Sequence, residues 1–224
     1  MPWGLKDVVW AALGGEALFL MAAAASAMGV RLMDGGSSAT YLGGALMGLA
    51  ELAFVVPVWA LAMRRQGIGW RELGLRRFRP FTGCLAVALL LYLTFAVNLA
   101  WALVLRWLHW PGQPDVRLLF GSGPLGLTIA LAGAGVVAPL AEEVFFRGFA
   151  FPPLRRRLGL VAGIAADAAL FALAHFAPTV FPPVFALGIF FCLLYEYTGS
   201  LWPSVILHAA VNALAVLAAY LLPR

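Results

Sequence analysis

GCLAVALLLYLTFAVNLAWALVLRWL, residues 83–108, decides the fold class. From Gly83 to Leu105 it carries no charged side chain, and its only polar side chains of any strength are Thr94 and Asn98. Wound as a helix at 1.5 Å per residue, that stretch is about 34 Å long, enough to cross a hydrocarbon core of roughly 30 Å. Apolar side chains point out all round it, so no face is left for water.

Outward from this segment the same pattern recurs near 8–30, 40–63, 124–151, 159–177, 181–197 and 201–222. The expected architecture is therefore all-α, a polytopic membrane bundle of about seven transmembrane helices, with six to eight the admissible range. Composition agrees: 63% of the 224 residues are hydrophobic and 11% charged, where a soluble domain carries roughly 25% charged residues. Mean hydropathy is +0.94. No repeat, low-complexity tail or soluble appendage is visible, so residues 1–224 read as one membrane-embedded domain.

The formal charge of +5 sits in loops. Arg64, Arg65, Arg71, Arg76, Arg77 and Arg79 share one, and Arg155, Arg156 and Arg157 fall in a second at 152–158. Neither has the interleaved aromatics of a nucleic-acid surface; arginines between apolar spans mark cytoplasmic loops. Both loops then face the cytoplasm, as does the N-terminus, and the first apolar stretch reads as an uncleaved span. Cys84 and Cys192 lie within apolar stretches and read as small hydrophobes. Gly44 and Gly48 form a GxxxG pair suited to close helix contact. Gly121-Ser122-Gly123-Pro124 looks like a serine elbow without its strand and helix, and reads as a turn.

Ionisable groups inside a membrane are costly and need a partner or a task. The fourth apolar run ends in Glu142-Glu143-Val144-Phe145-Phe146-Arg147-Gly148. Glu143 and Arg147 are four apart, share a helix face and can neutralise each other. Glu142 is rotated by about 100° from Glu143 and is left for something else. The fifth run carries Phe171-Ala172-Leu173-Ala174-His175, and the last carries His208 and Asn212 on one face. Lipid offers none of these a partner, so they must meet in the bundle interior. Glu16, Glu51, Asn98 and Asp167 read as residues that hold helices together or line the cavity. Asp167, two turns before His175, is the best placed to support the site.

A carboxylate in an apolar site is a stronger base than one in water, as a group that takes a proton from water must be. Histidine can hold the water or pass the proton on. Histidine and asparagine can donate to the oxyanion formed when water attacks a peptide carbonyl. Those roles describe peptide hydrolysis. Glutamate with two histidines is also a zinc-ligand set, so a metal-bound water is the rival form of the reaction. There is no HExxH motif and no pair of intramembrane aspartates. Proton relays use the same residue types, which leaves a proton-coupled transporter, or a non-catalytic scaffold of the same fold, as alternatives. No inverted repeat is visible, however, and the polar groups cluster in one half of the chain.

EEVFFRG (142–148), FALAH (171–175) and HAAVN (208–212) resemble, in order and separation, the EExxxR, FxxxH and HxxxN motifs of the CAAX-processing and bacteriocin-processing (CPBP, or Abi) family of intramembrane endopeptidases. The approach Thr198-Gly199-Ser200-Leu201-Trp202-Pro203 is similar to that family as well. The resemblance covers roughly 140–215, within a motif-bearing core of about 124–222. It implies that Glu142 activates water with help from His175, that His208 and Asn212 form the oxyanion hole, and that Glu143 and Arg147 are the accompanying pair. It implies a peptide or protein substrate, prenylated at its C-terminus in some members, and a multi-pass protein of a bacterial or archaeal cell membrane. No cofactor is expected on the glutamate mechanism. The expected site opens toward the cytoplasm.

One point of geometry resists this reading. Measured from the expected cytoplasmic ends of their spans, Glu142 and His208 lie about 13 and 10 Å deep, and His175 about 24 Å. They can meet only if the fifth helix starts well outside the lipid or enters tilted. Pro178 marks where that helix should stop.

Overall fold

The computed structural model describes residues 2–33, 36–111 and 115–222. Seven principal helices follow in order: α1 Leu5–Leu32, α2 Ser37–Arg64, α3 Pro80–Trp107, α4 Gly123–Leu158, α5 Leu160–Leu173, α6 Phe181–Thr198 and α7 Trp202–Leu221. A single helical turn, Arg117–Phe120, precedes α4, and no strand occurs among the described residues. Six of the helices are long and apolar enough to cross a membrane; α5, at 14 residues, is not. At about 21 Å it falls short of the hydrocarbon thickness.

The outer surface is a lipid-facing one. On α3, Leu85, Leu89, Tyr92, Leu99 and Leu103 are all exposed. Water would not tolerate such a row of leucines, whereas acyl chains cover it. Inside, small residues bring backbones together. A Cβ on Gly48 of α2 would lie 2.8 Å from Gly133 Cα of α4, so the expected GxxxG contact is made, and made against another glycine.

α4 departs from regular α geometry twice, in π-helical stretches at Gly133–Val137 and Val144–Ala150. Each is followed by proline in the first turn of the resumed α-helix, Pro139 in one case, Pro152 and Pro153 in the other. Proline is tolerated in a first turn, where its missing N–H costs nothing. The widened turns also present carbonyls to other segments. Ala134 O accepts from Asn212 Nδ2 of α7 at 2.9 Å, and Phe149 O accepts from Trp3 Nε1 at 2.8 Å. The Trp3 ring stacks on Phe149 at 5.2 Å, and Arg156 donates to Trp3 O, so the residues just before α1 are pinned to α4.

This geometry corrects one boundary. Residues 152–158, expected as a loop, are helical, and the reversal into α5 takes place at Gly159 alone. Its φ of 80° and ψ of 179° belong to a region open essentially to glycine. Glu142 stands 17 residues before Gly159 and His175 16 residues after it, about 25 and 24 Å along their axes. The mismatch of depth in the sequence reading disappears, because α4 and α5 run together past the start of α7. α5 ends near Pro178 as expected: Leu173 is its last residue, and Phe176 takes a left-handed φ of 48°.

The arginine-bearing segment after α2 is tied down across the ends of α6 and α7. Leu73 is fully buried, Leu201 N donates to Gly74 O at 2.9 Å, Ser200 Oγ donates to Arg76 O, and Arg76 Nε donates to Gly199 O. Gly74, at φ 111°, is pressed against Tyr195 and Leu201, which a side chain would strike.

Candidate active site

The second π-helical stretch of α4 and the facing sides of α5, α6 and α7 enclose a charged group of residues walled by aromatic rings. Arg147 is fully buried. Its Nη1 donates to Glu143 Oε1 at 3.1 Å, its Nη2 donates to Gly188 O at 3.2 Å, and its Nε lies 3.4 Å from Asp167 Oδ2. The guanidinium also lies over Phe171 and Phe191, 4.4 and 4.8 Å from their ring centres. Two carboxylates and two π faces thus neutralise a cation that lipid could not solvate.

Glu143, fully buried as well, has a second task. Its Oε1 is 3.1 Å from His208 Nδ1. A carboxylate on Nδ1 fixes the imidazole's orientation and presents the other nitrogen outward. That nitrogen, Nε2, is 4.0 Å from Glu142 Oε2, too far for a direct hydrogen bond and the span that one water oxygen can bridge. Phe191 stacks on the His208 ring at 4.7 Å, and Phe171 meets it edge-on at 5.7 Å. Glu142 keeps 12% of its side-chain surface open, and its Oε2 has no hydrogen-bond partner.

Of the six residues singled out in the sequence, four form this connected group: Glu142, Glu143, Arg147 and His208. Asn212 is one turn further along α7, with one amide N–H given to Ala134 O and a second left over. His175 is at the depth of Glu142 but makes no ion pair or hydrogen bond to it. Its Nδ1 meets Phe171 O at 2.9 Å, the bond expected from a ring capping its own helix end.

Asp167 supports the site through Arg147, as its spacing suggested, and also accepts from Cys192 Sγ at 3.2 Å. The sequence reading missed Cys192 and Gly188, and nothing in their own stretch of α6 signals them. Glu51 and Glu16 lie within electrostatic reach of Glu142. Asn98 donates to Thr94 O within its own helix. Among the described residues no three His, Cys, Asp or Glu side chains converge as ligands for a metal ion. The Nδ1 atoms of His175 and His208 are engaged by Phe171 O and Glu143 Oε1, which leaves the Nε2 atom of each ring to face a ligand.

A cavity of about 830 Å³ abuts the group. Phe145 and Phe146 of the first motif and Ala172 to Ala174 of the second form part of its wall, with Phe54 packed against both phenylalanines and Trp101 and Trp110 also in the lining. Leu13, Leu173 and Phe176 on its rim are exposed on the lipid-facing surface. The cavity therefore reaches the apolar flank of the bundle.

Fold and site together define a polytopic helical membrane protein with a buried carboxylate–histidine centre. Residues 124–214, which contain all three motifs, match the family described as type II CAAX prenyl endopeptidase Rce1-like. Over that segment the chain is similar to CAAX-type intramembrane proteases, the family to which the motifs pointed. No curated protein and no solved structure matches the chain.

Proposed function

We propose that the protein is an intramembrane endopeptidase that hydrolyses a peptide bond with a water activated by Glu142. The observation that carries this is the 4.0 Å separation of Glu142 Oε2 and His208 Nε2, with His208 locked from behind by Glu143. A water between them gives its proton to Glu142 as its oxygen attacks the carbonyl carbon. His208 donates from Nε2 to the oxyanion, and Asn212 adds its free N–H. Glu142 then passes the proton to the departing amine, with His175 assisting, and the C–N bond breaks. Glu143, Arg147 and Asp167 hold the arrangement and exchange no atoms with the substrate. The apolar cavity beside the site suits the hydrocarbon chain of a lipidated, prenyl-type peptide.

The test uses purified protein in bilayers with a prenylated peptide and its unprenylated counterpart, with and without chelator. Cleavage of the prenylated peptide should survive chelation and fall at least about 100-fold in Glu142→Gln, the lower end of what a general base contributes. A Glu142→Gln protein that is folded and fully active would overturn the mechanism. Loss of activity on chelation, restored by zinc, would overturn its metal-free form.

A further inference from the structure

The cavity wall contains a charge that the catalytic reading does not use. Among the described residues lining it, Glu16 of α1 is the single ionisable group, in a wall otherwise of Ala, Leu, Phe, Trp and Pro. Glu16 Oε1 is buried with no hydrogen-bond partner, and among the described residues no ion pair reaches the side chain. Charges of its own sign lie within electrostatic reach, since Glu142 and Glu51 both interact with it. Arg147, the buried cation of the neighbouring site, is already held by Glu143 and Asp167. A carboxylate in an apolar wall is expensive to keep without a counter-charge. The missing partner is then part of what the cavity binds.

We infer that Glu16 selects the occupant by charge: the cavity takes an apolar chain joined to a cationic group, an ammonium or guanidinium that lies against Glu16. Its use in catalysis rests on the endopeptidase reading, in which the substrate is a lipid-modified peptide with a lysine or arginine close to the cleaved bond. Binding does not depend on that reading. Trp101 and Trp110 stand in the same wall and report occupancy.

The experiment has two arms. In the first, 12-bromododecylammonium and 12-bromododecanol are titrated into the intact protein in neutral detergent, and quenching of tryptophan fluorescence is followed. The amine should bind roughly tenfold or more tightly than the alcohol, the worth of one charge-assisted hydrogen bond. Glu16→Gln should bring the two together, Glu16→Asp should keep the preference, and Trp101→Phe should remove a large part of the signal. Equal binding in the wild type, or a preference that persists in Glu16→Gln, would overturn the proposal. In the second arm, two prenylated peptides differ only by lysine or norleucine beside the cleaved bond. The lysine peptide should have the lower KM by a similar factor, and the ratio should fall toward one in Glu16→Gln. If the endopeptidase reading fails, neither peptide is cleaved and the quenching result still stands. If the charge reading fails, both are cleaved with equal KM.

Discussion

The Arg147 guanidinium is met on its nitrogens by Glu143, Asp167 and the Gly188 carbonyl and on its face by Phe171 and Phe191. Removing one partner of such a buried set leaves the others uncompensated, at about 3–5 kcal/mol. Asp167→Ala should therefore lower the thermal unfolding temperature in detergent markedly. Asp167→Asn, which can still accept from Arg147, should lower it less. The Glu143–Arg147 pair was legible because four residues on a helix bring two side chains together whatever surrounds them. Asp167 was half legible, placed near His175 by spacing but with no partner named. Gly188 and Cys192 were not legible at all. Their role depends on where α6 crosses α5, and no periodicity within α6 encodes that crossing.

At the level of elements, the reversal at Gly159 sets the depth of the site. It sets the end of α4 level with the start of α5, so Glu142 and His175 lie at matching distances from the turn. An alanine there must adopt a backbone conformation nearly closed to it, costing about 1–3 kcal/mol. Gly159→Ala should lower stability by that order and slow peptide cleavage, although the residue is about 25 Å from Glu142 along the helix axis. Gly48→Ala should cost about 1–3 kcal/mol as well, because the added methyl meets the Gly133 backbone and no flexible side chain can yield. Thermal unfolding monitored by tryptophan fluorescence checks both. The number and order of the helices were readable from hydropathy alone. The run of helix through 152–158 was not: Pro152, Pro153 and three arginines look like a loop unless the preceding turn is known to be π-helical. That turn lets the prolines fall in a first helical turn, and a sequence pattern does not show it.

For the whole molecule, the arginine positions give an orientation that a labelling experiment decides. With Cys84 and Cys192 replaced by alanine, a cysteine at Arg71 should react with an impermeant maleimide only from the cytoplasmic side, and one at Ser37 only from the opposite side. The reverse pattern would invert the bundle. Seen whole, the bundle is indented on its flank, between Leu13 of α1, Leu173 at the end of α5 and Phe176 just after it. That indentation changes the variable on which turnover depends. A substrate that enters through the flank arrives by diffusion in two dimensions, so its effective concentration is a mole fraction in the bilayer and not a molarity in the bath. At a fixed total amount of prenylated peptide, added inert phospholipid should depress the initial rate by surface dilution, while a change in aqueous volume should leave it unaltered.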